Sequence, residues 1–141
     1  MKLYFVRIAI ATFAFAIPVT GVMAGAKSTN SNVIIVDDSS GHYASGSLGV
    51  VRSSGDTVQE IGCVVEATRG TSAGVAGLLS TYCYATAANG TFRSCSSSDP
   101  EVAAGALAVK GDSFLEFHWA SPSDDCVRII ANNDSTFRPK R

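Results

Sequence analysis

At 141 residues, with 11 basic against 12 acidic side chains and a net charge of −1, the chain fits one small domain. So balanced a charge argues against nucleic acid or an anionic membrane surface as an electrostatic partner. No run of about 20 apolar residues follows the first segment, so no membrane span is expected after its removal.

The first segment has the three parts of a secretory signal. Lys2 and Arg7 give a basic start, Ile8 to Ile17 is an apolar run, and Pro18 and Gly21 break it. Small residues stand at peptidase spacing in Val22-Met23-Ala24, with Ala24-Gly25-Ala26 as a second option. We therefore read residues 1–24 as a signal peptide. Losing Lys2 and Arg7 with it takes the charge from −1 to −3. Residues 25–32 read as a flexible polar leader, 33–137 as a single β-domain, and 138–141 as a loose basic tail.

Val33 to Val36 is β-branched and predicts a first strand, broken by Asp37-Asp38-Ser39-Ser40-Gly41. Tyr43 to Arg52, ending in Leu48-Gly49-Val50-Val51, predicts a second, and Thr57 to Thr68 a third. The glycine-rich stretch Gly70–Gly77 has neither the lysine nor the spacing of a phosphate loop. Asn89-Gly90 between Tyr82–Thr86 and Thr91–Cys95 marks a hairpin. Pro100 to Ala108 is the single helical candidate, with Asp99 as its N-cap. Ser113 to Trp119 alternates apolar and polar residues, and Cys126 to Ala131 is a last strand. Short strands separated by turn residues predict a mainly β fold, a small antiparallel β-sandwich or barrel with one short helix.

Cys63, Cys83, Cys95 and Cys126 all lie beyond the signal. An even count in an exported chain predicts two disulfides; their wide spacing is unlike the close ligand pairs of structural zinc. Four cysteines allow three pairings, and the hairpin register bears on the choice. A two-residue Asn89-Gly90 turn would point Cys83 away from Cys95. A three-residue Ala88-Asn89-Gly90 loop with Gly90 left-handed sets Cys83 opposite Cys95 and gathers Tyr82, Tyr84 and Phe92 on one face. The second register is the cleaner pattern. It predicts Cys83–Cys95 with Cys63–Cys126.

The run from Gly46 to Cys63, with Cys83-Tyr84-Ala85, Cys95 to Pro100, Gly111-Asp112-Ser113, Phe117-His118-Trp119 and Cys126, resembles small secreted bacterial proteins with four cysteines. The resemblance spans most of residues 46–139. It implies a bacterial, exported origin and brings no activity with it.

Candidate chemistry is sparse. His42 and His118 are the histidines; Asp37 precedes His42 in one loop, and Glu116 precedes His118. Either could serve a small hydrolase as a His–carboxylate pair, but no G-x-S-x-G elbow supplies a nucleophile. Asp37-Asp38, Asp124-Asp125 and Asp134 lack the spacing of a calcium loop and read as turn chemistry. Tyr82, Tyr84 and Phe92 are the binding candidates, as an aromatic platform if their face is exposed. Trp119 alternates with Leu115 and Phe117 and reads as core. No cofactor or metal is expected. The sequence thus predicts a secreted or periplasmic, non-catalytic binding or structural module with an envelope protein or glycan as partner. A small hydrolase and a secreted enzyme inhibitor are the alternatives.

Overall fold

The computed structural model describes residues 32–70 and 77–134. The signal peptide, the leader up to residue 31, the glycine-rich stretch 71–76 and the basic tail lie outside the described residues. Among the described residues seven strands and two short helices follow in chain order: β1 Ile34–Asp38, β2 Gly41–Ser47, α1 Leu48–Ser53, β3 Glu60–Thr68, β4 Leu78–Thr86, β5 Phe92–Ser97, α2 Pro100–Leu107, β6 Phe114–Ala120 and β7 Asp125–Asn132. The protein is mainly β, as its sequence predicts, and no helix among the described residues is long and apolar enough to cross a membrane.

The strands form one mixed sheet in the order β1-β2-β6-β7-β5-β4-β3. Neighbours are antiparallel except β5 and β7, which meet in parallel at Ser96 and Asp125. This arrangement replaces the two-layered sandwich with a single sheet curled toward a barrel. Its edge strands β1 and β3 belong to opposite ends of the order, yet side chains bridge that distance. The Val33 amide, just ahead of β1, donates to Gln59 Oε1 just ahead of β3 at 2.9 Å, and Arg93 of β5 reaches Asp37 of β1. Among the described residues no ladder joins β1 to β3, so the barrel is open.

Alternation fills its interior. On β6, Leu115, Phe117 and Trp119 are buried while Phe114, Glu116, His118 and Ala120 are half-exposed. Ala44, Ile61, Cys83, Ala85, Cys95 and Cys126 join them in one core, against which Leu48 and Val51 of α1 and Val102 of α2 pack. Burying a Leu or Phe side chain contributes roughly 1.5–3 kcal/mol, so this inner face is the main driving force. Asp99 caps α2 by accepting from the Glu101 amide at 2.7 Å. Gly105 lets α2 lie on β7, since a Cβ there would come within 3.2 Å of Ile129 Cβ.

Two elements depart from the sequence reading. Leu48-Gly49-Val50-Val51 is helical rather than extended, which makes two helices instead of one. Three-residue spacing carries both Leu48 and Val51 to the core, and the Leu48 amide bonds Ser113 O at 3.0 Å. Packing here overrides the β-preference of valine. The third strand begins at Glu60 rather than Thr57, because Asp56 accepts from the Val58 amide and Gln59 Nε2 and closes a turn.

The cysteine pairing also differs. The bridges are Cys63–Cys83 and Cys95–Cys126, not Cys83–Cys95 with Cys63–Cys126. The hairpin register itself is the predicted one: Cys83 stands opposite Cys95, Gly90 is left-handed at φ 82°, and the Ala87 amide bonds Thr91 O at 2.9 Å. Counting back from that bond makes Cys83–Cys95 a hydrogen-bonded pair, the wider kind, about 5.5 Å between Cα atoms. On its other side Cys83 faces Cys63 in the closer, non-hydrogen-bonded kind, with Cα atoms 4.0 Å apart. Cys83 therefore joins the nearer neighbour. Cys95 joins Cys126 on β7, and the two bridges staple four adjacent strands side by side.

Candidate functional site

One end of the curled sheet is left open, and polar residues ring it. Asp37 is near the end of β1 and pairs in register with His42 of β2. Because Ile35 and Ala44 share their face with the core, Asp37 and His42 extend the inner face toward the rim. The His42 Nδ1 and Asp37 Oδ1 are 2.7 Å apart, and Arg93 Nε donates to Asp37 Oδ2 at 2.5 Å. Both carboxylate oxygens are thus engaged. The bond with His42 and then the Arg93 guanidinium hold the Asp37 carboxyl below its ordinary value of 3.8, so it is a fixed anion at neutral pH.

Below that rim is a cleft of about 380 Å³ lined by Asp37, Phe92, Arg93, Ser94, Trp119, Ser121, Pro122 and Asp124. Trp119 is buried at its base, with its indole 6.2 Å from the His42 ring and 6.0 Å from Phe117. The β6–β7 loop forms the far wall. There the Ser121–Pro122 bond is cis, and Asp124 takes a positive φ of 54°, its amide bonding Ala120 O at 2.9 Å.

The second histidine is elsewhere. His42 and Tyr43 are successive residues of β2, so their side chains leave opposite faces. Tyr43 lies opposite His118 on β6, ring centroids 5.5 Å apart, and His118 faces Arg128 of β7. His118 Nε2 and Glu116 Oε1 are 2.8 Å apart on this outer face. The two His–carboxylate pairs therefore exist as separate surface features. The hydrogen bonds described for either imidazole run to a carboxylate, not to a serine or threonine hydroxyl.

Tyr82, Tyr84 and Phe92 do share one face, the outer face of β4 and β5, with Phe92 opposite Thr86. The Tyr82 and Tyr84 rings stack at 6.0 Å and 25°, and Tyr82 and Phe92 are exposed. Tyr82 is also opposite Val64 of β3. Among the described residues no group of three His, Cys, Asp or Glu side chains could hold a metal ion.

Sequence reasoning missed Arg93; Trp119 is core, as its alternation predicts, and also lines the cleft. A signal for Arg93 was present: the three-residue hairpin loop puts it on the inner face with Cys95, a cation on an apolar side. Its partner, 56 residues earlier, is set by the curl of the sheet. Comparison with family models, with curated proteins and with solved structures finds no match.

Proposed function

We propose that the protein is an exported, non-catalytic binding module of the bacterial envelope or medium, and that its ligand is a glycan seated in the open-end cleft. The observation that carries this reading is the Asp37 carboxylate, held by His42 on one oxygen and Arg93 on the other, at the rim of a cleft based on Trp119. A sugar offers neighbouring hydroxyls that suit a carboxylate beside a guanidinium. The cleft volume lies in the range of small-ligand sites, roughly 300–1,000 Å³. Two disulfides and a sequence opening that reads as a secretory signal support an oxidising destination, periplasm or medium.

The chain has a single tryptophan, so its emission reports the cleft directly. Titrating the mature protein with soluble peptidoglycan fragments, and separately with neutral oligosaccharides, should give a saturable change in Trp119 emission. Arg93→Gln should weaken that binding at least tenfold, and the sugar should be recovered intact. No saturable change with either series would overturn the glycan reading. Cleavage of the added sugar, abolished by His42→Ala, would replace it with a hydrolase using the His42–Asp37 pair.

A further inference from the structure

We infer that two copies of the chain join edge to edge through β3, making one continuous sheet. This inference stands apart from the cleft. An open sheet edge is ordinarily blunted by shortness, charge, proline or a bulge. The β1 edge follows that rule: it is five residues long and ends in Asp37-Asp38. The β3 edge is blunted only by two glutamates, Glu60 and Glu66. It is nine residues long, pairs with β4 without a register shift, and holds no proline or lysine. Among the described residues no strand covers its free side.

The hydrogen-bonding phase of that edge is fixed. The close Cys63–Cys83 pair, Cα atoms 4.0 Å apart, is non-hydrogen-bonded, so the Cys63 amide and carbonyl point away from β4. Those of Ile61, Val65 and Ala67 point the same way. An antiparallel pair of β3 strands about a two-fold axis through Val64 sets Ile61 against Ala67 and Cys63 against Val65. Each outward group then meets an outward group, giving about eight N–H···O=C bonds.

Charge disfavours two of the alternative registers. With Val64 at the centre, Glu60 lies opposite Thr68 of the second copy and Glu66 opposite Gly62. Centring the pair on Cys63 would set Glu60 against Glu66 twice, and centring it on Glu66 would set that residue against itself; like charges directly opposed are destabilising. The outer face agrees. Val64 is 55% exposed and lies opposite Tyr82, itself 43% exposed. Pairing completes an unbroken row of Tyr82, Val64, Val64 and Tyr82 across four strands, in which each exposed valine gains a β-branched partner.

The mature chain, examined by sedimentation and by amide hydrogen exchange over a rising concentration series, tests this. The mass should double, and the amides of Cys63, Val65 and Ala67 should gain protection as it does. Those of Gly62, Val64 and Glu66, already bonded to β4, should not change. Val64→Lys opposes two ammonium groups at the centre and should weaken dimerisation at least tenfold, with exchange in β4 and β5 unaltered. A monomer at every concentration would overturn the inference, as would a dimer that tolerates Val64→Lys. Protection of the outward amides that is independent of concentration would also overturn it, since the cover would then come from the same chain.

Discussion

The side chain of Thr81 is fully buried on the inner face of β4, and its Oγ1 meets no protein donor or acceptor among the described residues. A buried hydroxyl left unanswered costs on the order of 1–3 kcal/mol, while valine has nearly the same shape and favours a strand. Thr81→Val should therefore raise stability by about 1 kcal/mol, which for a domain of this size is a rise in Tm of roughly 4 °C. Thermal unfolding of the two proteins side by side checks it. A lower Tm in the variant would mean that the hydroxyl is satisfied. Ser47, equally buried and equally without a protein partner, differs because it ends β2 where the chain turns into α1. A β-branched replacement there would have to fit that turn.

At the scale of elements, local chemistry made much of the fold legible and long-range geometry hid the rest. Alternation in Ser113–Trp119, the Asp99-Pro100 cap and the left-handed Gly90 each write their structure into a few adjacent residues, and the strands β4, β5, β6 and helix α2 follow from them. The α1 helix was not legible, because its valines are turned toward helix by the core they meet. Nor was the disulfide pairing. The hairpin register correctly places Cys83 beside Cys95, but the choice depends on Cys83's other neighbour, and β3's identity as that neighbour is not local. Cleaving the unreduced protein between the cysteines and weighing the linked peptides should find Cys63 joined to Cys83 and Cys95 to Cys126. Replacing Cys63 and Cys83 together by alanine opens a bridge with a sequence separation of 20 and should cost about 3 kcal/mol. A linked Cys83–Cys95 peptide would reject the pairing. The candidate site was legible in the same uneven way: Asp37 and His42 are five residues apart and were found together, whereas Arg93 reaches them only because the sheet curls.

For the molecule as a whole, that curl is held at its open end by charge, and charge makes it depend on pH. The Arg93–Asp37 bond runs from the fifth strand to the first, which three strands separate in the sheet order. Asp37 is held below 3.8 by His42 and then Arg93, Asp38 by the Ser40 hydroxyl and amide, and Asp56 by the Val58 amide and Gln59. A carboxyl whose value is depressed by folding binds its proton more readily in the unfolded chain, so stability rises with pH through that window. The contribution is complete above 3.8 and is lost as pH falls through the lower folded-state values. Protonating Asp37 also removes the acceptor that Arg93 and His42 share, so the rim of the cleft should loosen in the same window. Asp37→Asn lacks that titration. Its urea midpoint should fall below that of the parent at neutral pH, and the two should converge as acid protonates the parent's carboxylate. Because these groups are solvent-exposed, added salt should narrow the neutral-pH gap. A gap that persists undiminished well below 3.8 would show that Asp37 acts through packing rather than through its charge.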